Sequence, residues 1–210
     1  MTNKIEIIAE IAQGFEGNEK LASLLTKGAI ASGADAVKFQ LVYADELATP
    51  DYQHYQLFKE LEMERIVWTN ICKQIHKANK KIYFDIFGLI SMEIAKKIGA
   101  DGVKISTTEF YNNVLFDKAI SEFNRIYLSV GGIPLEDIEK KISSLSKKQV
   151  SKISLMYGFQ SEPTPLDQNN LYKLSFLKNR FPNFKIGFMD HSDGDLDDAY
   201  HLSLVAMGTG

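Results

Sequence analysis

Seven short apolar segments recur along the 210 residues, and they alternate with segments whose apolar residues are spaced three or four positions apart. Short apolar runs are typical of buried strands, whereas the wider spacing indicates amphipathic helices. Strict alternation of the two predicts a parallel sheet with right-handed crossovers. The predicted strands are Ile5 to Ile11, Ala36 to Gln40, Ile82 to Phe87, Gly102 to Ser106, Ile126 to Val130, Ile153 to Tyr157 and Ile186 to Asp190.

Almost every predicted strand ends in a side chain that can do chemistry. In a parallel barrel the carboxyl ends of all strands meet at one mouth and build a single site. We therefore predict an enzyme with an α/β fold, a (β/α)8 TIM barrel. Residues 1–210 form one domain in this interpretation, with the eighth strand missing or supplied beyond Gly210. The strand-end side chains are Glu10, Lys38, Gln40, Asp85, Lys104, Ser129, Tyr157, Asp190 and His191.

Two segments of the chain echo each other. Gly33–Phe39 and Gly99–Ile105 share Gly, Ala, Asp, Val and Lys at matching positions. A Gly-Ala-Asp turn between a helix and a strand is common, but it does not explain the two lysines. A lysine in an apolar strand end is costly to bury without an anion partner. We expect Lys38 and Lys104 to bind phosphate or carboxylate, and the alternative is that both are surface lysines.

Composition excludes several classes of protein. A net charge of -3 with interspersed signs gives no basic stripe for nucleic acid and no polybasic membrane patch. No apolar run approaches the roughly 18 residues of a membrane span, and the first residues are no signal peptide, so a cytoplasmic location is expected. Cys72 is the single cysteine, which excludes an internal disulfide, and we expect it to be buried in a helix.

Other candidate residues carry weaker signals. His191 ends the seventh strand among aspartates that can orient its ring for metal binding, although a lone histidine is usually structural. Glu10 and Glu109 are candidates for acid–base work or for binding a hydroxyl group, and Asp85 and Glu162 can join them. Glu162 lies in a turn typical of a surface. Ser129 opens a Ser-Val-Gly-Gly turn whose backbone amides can approach an oxyanion.

In this order, the motifs resemble the sialic acid synthase family, the N-acylneuraminate synthases, over essentially the whole chain. The matching pieces are Ala9–Ile11, Gly33–Gln40, Lys104–Glu109 with Asn112, Ser129–Gly131, Gln160 with Pro163–Pro165, and Asp190–Ser192. The family condenses phosphoenolpyruvate with an N-acylated amino sugar. The resemblance implies a nonulosonic acid and phosphate as products, a role in surface glycan biosynthesis, and a homodimer in the complete protein.

The resemblance also implies site roles. Lys38 and Lys104 would hold phosphoenolpyruvate with Thr107 and Ser129, and Gln40 and Glu10 would contact the open-chain sugar. Glu109 would lie beside the reacting carbons, and Gln160 belongs to the same substrate-binding set. His191 would be one of two histidines that bind manganese or magnesium, which polarises the sugar aldehyde.

The chain departs from the family pattern at several positions. Asp85 replaces the threonine of a Thr-Pro-Phe motif, Met189 replaces a serine, and Glu162 replaces a tyrosine. The eighth strand with the second metal histidine and the C-terminal antifreeze-like domain are also absent from the 210 residues. These departures leave two alternatives open: a non-catalytic barrel that binds sugar or a partner protein, and another phosphoenolpyruvate-dependent sugar-acid synthase.

Overall fold

Parallel strands alternate with helices through the part of the chain that the computed structural model describes, residues 5–197 and 199–209. The chain divides into two units, Met1–Asn124 and Arg125–Gly210. Seven parallel strands lie within the described residues, which confirms the predicted α/β class and is consistent with a TIM-like barrel. The eighth strand stays a prediction.

Unit 1 contains four strands in chain order, each pairing with the next. The strands are β1 (Ile8–Ala12), β2 (Ala36–Gln40), β3 (Lys81–Ile86) and β4 (Gly102–Ile105). The helices are α1 (Glu19–Ala31), α2 (Ala44–Leu47), α3 (Tyr55–Glu60), α4 (Arg65–Lys77), α5 (Leu89–Ile98) and α6 (Asn113–Glu122). The sequence predicts an aromatic-rich loop from Leu41 to Leu61, and this segment holds the two short helices α2 and α3. A 3-10 turn, Thr107–Glu109, follows β4.

Unit 2 contains three strands, β5 (Ile126–Ser129), β6 (Ile153–Tyr157) and β7 (Lys185–Phe188), which also pair in chain order. Its helices are α7 (Leu135–Ile142), α8 (Lys147–Val150), α9 (Tyr172–Arg180) and α10 (Ala199–Gly208), with a 3-10 turn at Leu166–Gln168. Within residues 5–197 and 199–209, no helix has both the length and the apolar composition needed to cross a bilayer.

Helical spacing of apolar residues predicts three helices in unit 2, at Pro134 to Leu145, Asn169 to Phe181 and Asp195 to Met207. The first two begin later than predicted. Pro134 has a non-helical ψ of 140°, so α7 starts at Leu135, and the 3-10 turn before α9 delays its start to Tyr172. The third range includes residue 198, which lies outside the described residues.

The echoed segments share a structural role. Gly33 and Gly99 both adopt a left-handed backbone, with φ of 87° and 85°, which ends the preceding helix. The aspartate two positions after each glycine accepts a hydrogen bond from a backbone amide at the start of a neighbouring strand. Ile7 N donates to Asp35 Oδ2 at 3.1 Å, and Ile82 N donates to Asp101 Oδ2 at 2.9 Å. The Gly-Ala-Asp part of the echo therefore joins helix to strand.

An aromatic cluster fills the core of unit 1 on the helix side of the sheet. Phe39 of β2 stacks on Phe84 of β3, with ring centroids 6.2 Å apart. Trp68 of α4 presents its edge to both rings, and Phe15 packs against Trp68 at 5.2 Å. Cys72, one turn further along α4, is buried as predicted, and burial followed by the nearby Asp101 charge raises the pKa of its thiol to about 12.

We expect Trp68→Ala to lower the free energy of unfolding by about 3–5 kcal/mol, because it removes the ring that contacts Phe39, Phe84 and Phe15 and leaves a cavity. The measurement is urea denaturation followed by circular dichroism. Ile66→Ala on the same helix is the matched control, since Ile66 is 57% exposed, and its effect should stay within about 0.5 kcal/mol. Equal losses in the two variants would contradict this assignment of the core.

Candidate active site

Strand register in unit 1 places four ionisable side chains on one face of its sheet. Glu10 of β1 lies opposite Lys38 of β2, and Asp85 of β3 lies opposite Lys104 of β4. Lys38 pairs with Tyr83, two positions before Asp85, and because side chains alternate along a strand, Asp85 shares the face of Lys38. The opposite face carries the aromatic core. We call Glu10, Lys38, Asp85 and Lys104 the lysine–carboxylate cluster.

The Asp85 carboxylate bridges the two lysines. Its Oδ1 lies 2.6 Å from Lys38 Nζ, and its Oδ2 lies 2.5 Å from Lys104 Nζ. Lys38 Nζ also forms an ion pair with the Glu10 carboxylate. The side chains of Asp85, Lys38 and Lys104 are only 1%, 8% and 13% exposed, whereas Glu10 is 45% exposed. The anion partner that the two buried lysines require is therefore a residue of the chain itself.

Burial and charge act in opposite directions on these groups. Burial disfavours the ionised Asp85 carboxyl, but the ammonium groups of Lys104 and Lys38 outweigh burial and hold the pKa of Asp85 below its ordinary 3.8. Burial also disfavours the charged form of Lys38, yet Asp85 and Glu10 together raise the pKa of Lys38 above 10.5. Desolvation raises the pKa of Glu10, with Lys38 opposing this and Asp85 adding to it.

A bulge in β1 fixes Glu10. The register with β2 shifts between Glu10 and Ala12, and Ala12 has a φ of 50°, a conformation that non-glycine residues rarely adopt. This turn lets the Ala12 amide donate to Glu10 Oε1 at 2.9 Å. Gln13 follows directly and its Nε2 donates to Gln40 Oε1 at 2.7 Å. Glu10 thus lies inside a strand rather than at its end, and Gln13 joins the candidate set.

The turn after β4 carries Thr107 and Glu109, both partly buried. Asn112 holds this turn in place: its Nδ2 donates to Glu109 Oε2 at 3.0 Å, while its Oδ1 accepts from Leu115 N at the start of α6. A helix cap therefore orients the carboxylate. Thr107 and Glu109 thus belong to the same strand-end segment as Lys104.

We expect Asp85→Asn to lower the free energy of unfolding by about 3–5 kcal/mol at pH 7, because it leaves two buried ammonium groups without their carboxylate. Urea denaturation measures the loss. Asp45→Asn serves as the control, since the Asp45 side chain is 61% exposed in its pair with Lys59, and we expect a much smaller loss than for Asp85→Asn.

The shifted pKa values of Asp85 and Lys38 also predict how the stability of the protein depends on pH. The folded pKa of Asp85 lies below its unfolded value, so its contribution is complete above about pH 4 and is lost as pH falls through the folded pKa. Lys38 has the opposite sign: its contribution is complete below about pH 10.5 and is lost as pH rises through the raised folded pKa. Below about pH 4, wild type should therefore lose stability more steeply than Asp85→Asn, and parallel curves would contradict this.

In unit 2, His191 follows β7 and is fixed by backbone groups. Its Nδ1 lies 2.7 Å from the Phe159 carbonyl oxygen. Because a carbonyl only accepts, Nδ1 carries the proton and the Nε2 lone pair is available to a metal ion. The backbone oxygen of His191 accepts from Thr164 N at 2.7 Å. An aspartate was expected to orient this ring, but the observed partner is Phe159.

Asp190 has a different function from the one predicted. Its Oδ1 accepts from Ser192 N at 2.9 Å and its Oδ2 accepts from Ser203 Oγ of α10 at 3.1 Å. Asp190 therefore fixes the turn after β7 to α10. The sequence offers no side-chain signal for the Phe159 contact, since the group that orients His191 is a carbonyl.

Of the remaining predicted residues of unit 2, Ser129 lies at a strand end, and Gln160 and Glu162 lie in the loop after β6. Ser129 is the last residue of β5 and is buried. Gln160 is exposed and donates from Nε2 to the Gly158 carbonyl at 3.2 Å. The Glu162 side chain is 80% exposed, as its surface-like turn suggested, with Oε1 3.7 Å from His191 Nε2. Within residues 5–197 and 199–209, no group of three or more His, Cys, Asp or Glu side chains is placed to hold a metal.

Gly131 allows the turns after β5 and β6 to pack closely. A Cβ at this position would lie 2.0 Å from the Gly158 carbonyl oxygen and 2.9 Å from Gln160 Nε2. The first distance involves backbone, so a side chain would have to push the two turns apart. The glycine two positions after Ser129 is thus required by a neighbouring turn of the same unit.

We expect Gly131→Ala to destabilise the protein by about 1–3 kcal/mol, because a methyl group has no room beside the Gly158 carbonyl. Gly194→Ala is the matched control in the same unit, since its added Cβ would have no neighbour within 4 Å. Thermal unfolding of the two variants tests the packing, and a Gly131→Ala midpoint equal to that of the control would contradict it.

Comparison with known proteins identifies the family. The model of the NeuB family matches residues 25–209. The chain belongs to the NeuB family. This NeuB-family chain is 28% identical over 224 residues to N,N'-diacetyllegionaminic acid synthase of Campylobacter jejuni, covering 99% of the chain and 65% of the relative. It is 26% identical over 204 residues to the spore coat polysaccharide biosynthesis protein SpsE of Bacillus subtilis, covering 89% and 53%.

The solved structures agree with this membership. The NeuB-family chain superposes with a TM-score of 0.88 and 25% identity on the N-acetylneuraminic acid (sialic acid) synthetase of Leptospira borgpetersenii in complex with citrate, over 100% of the chain and 74% of that structure. The predicted resemblance to sialic acid synthases is thereby confirmed. The chain spans 53% to 65% of the length of the first curated relatives it matches.

Proposed function

We propose that the protein condenses phosphoenolpyruvate with an N-acylated amino sugar and releases phosphate and a nonulosonic acid for glycan biosynthesis. NeuB-family membership supports this, as do relatives named for legionaminic, pseudaminic and neuraminic acid synthesis. The observation that carries the proposal is the lysine–carboxylate cluster, in which Lys38 and Lys104 come from separate strands to one buried carboxylate.

The proposed chemistry uses charge and acid–base groups of unit 1. Carbon 3 of phosphoenolpyruvate attacks the sugar aldehyde, water adds at carbon 2, and phosphate leaves. Lys38 and Lys104 would stabilise the negative charge of phosphoenolpyruvate and of the departing phosphate. Glu10 and Gln40 would contact the open-chain sugar. Glu109, oriented by Asn112, would exchange protons near the reacting carbons.

We also propose His191 as one ligand of a manganese or magnesium ion. The protonated Nδ1 and the available Nε2 fit a metal-binding histidine. The described residues include no group of three or more His, Cys, Asp or Glu side chains that would complete the ligand set. When bound, such an ion would polarise the sugar aldehyde.

Phosphate release from phosphoenolpyruvate, with manganese present and N-acetylmannosamine or diacetamido sugars offered in turn, tests the proposal. We expect release that depends on one of these sugars. Lys104→Met should lower the rate at least about 100-fold, because it removes one of two charge-stabilising groups. Lys97→Ala, on the exposed side of α5, is the control and should leave the rate unchanged. If no sugar triggers release by the wild-type protein, the proposal fails.

One observation favours a second candidate, a barrel that binds a sugar without catalysis. Both lysines are already paired with Asp85, and Lys38 is also paired with Glu10, which reduces their attraction for phosphoenolpyruvate. Calorimetry separates the two functions. A binding protein takes up the amino sugar equally well with or without phosphoenolpyruvate and metal.

A further inference from the structure

The lysine–carboxylate cluster contains two ammonium and two carboxylate groups, so with Glu10 ionised its formal charges cancel. Asp85 is the central member, because each of its oxygens contacts a different lysine. The Asp85 side chain is 1% exposed, so it is more deeply buried than the half-exposed Glu10 side chain. A carboxylate therefore already holds the position between the lysines.

A substrate carboxylate or phosphate would use the same donors. Its oxygens match those of Asp85 in charge and in the ability to accept charge-assisted hydrogen bonds from an ammonium group. Both anions cannot hold the closest positions on Lys38 and Lys104 at once, because two carboxylates side by side repel. Displacing Asp85 has its own cost, since the freed carboxylate would remain in a buried place without its partners.

We propose that Asp85 is a specificity-determining residue that competes with the substrate anion for Lys38 and Lys104. This inference rests on the proposed function, in which the two lysines contact the substrate. It adds that carboxylates of the chain itself already pair with these lysines. The cluster consequently binds free phosphate or phosphoenolpyruvate weakly until Asp85 releases the lysines. Removing only the Asp85 charge converts the cluster into an open anion site.

Isothermal calorimetry with inorganic phosphate and with phosphoenolpyruvate tests this on wild type, Asp85→Asn and Asp85→Thr. We expect both variants to bind each anion at least about tenfold more tightly than wild type, because the internal competitor is gone. The double variant Asp85→Asn/Lys104→Met is the matched control. It has lost one negative and one positive charge together, so it should show no gain over wild type.

Stability gives a second readout, since Asp85→Asn also weakens the fold. Added phosphate should raise the unfolding temperature of Asp85→Asn and Asp85→Thr more than chloride at equal ionic strength, and should raise that of wild type much less. Equal or weaker anion binding by both variants, or an equal gain in the double variant, would overturn the proposal. So would a failure of both variants to fold even in phosphate, since no anion would then replace the carboxylate.

These experiments distinguish a failure of the competition proposal from a failure of the proposed function. If the variants gain anion affinity while no sugar triggers phosphate release by wild type, competition by Asp85 stands and the synthase assignment fails. If wild type releases phosphate with a sugar but the variants gain no affinity, the synthase assignment stands and competition by Asp85 is wrong.

Discussion

A single buried carboxylate, Asp85 of β3, holds the charged side chains of three of the four strands of unit 1 together. Asp85 accepts from Lys38 on one side and from Lys104 on the other, at 2.6 and 2.5 Å. Asp85 offsets the cost of burying both lysines, and the two ammonium groups in turn keep its carboxylate ionised. The register of β2, β3 and β4 therefore matters chemically as well as structurally, because a slip of one residue would move Asp85 to the aromatic face.

Charge balance connects this arrangement to function. A site that binds a multiply charged phosphate compound normally offers unpaired positive groups. Here the two lysines converge on Asp85, a carboxylate of the chain itself. The proposed reaction of phosphoenolpyruvate at this cluster therefore requires the substrate anion to compete with a carboxylate that the lysines already bind. Binding strength and turnover are thus expected to respond separately to changes at Asp85.

The sequence allowed the strands, their order and the two echoed lysines to be predicted, because apolar periodicity and repeated motifs are local signals. The ion-pair partner of those lysines could not be predicted without the strand register. Asp85 comes next to Lys38 and Lys104 only when β3 is placed between β2 and β4. Other features had no side-chain signal at all. His191 is oriented by the Phe159 carbonyl, and the helix expected to open at Pro134 begins one residue later.

The chemical reactivity of Cys72 can report local unfolding of unit 1. The thiol is the only one in the chain, it is 1% exposed beside the aromatic cluster, and burial raises its pKa to about 12. The thiolate is the nucleophile that attacks an alkylating reagent, so the folded form both buries the sulfur and keeps it protonated. The rate of alkylation at Cys72 therefore reports how often the α4 side of the core comes apart, without any label being engineered into the protein.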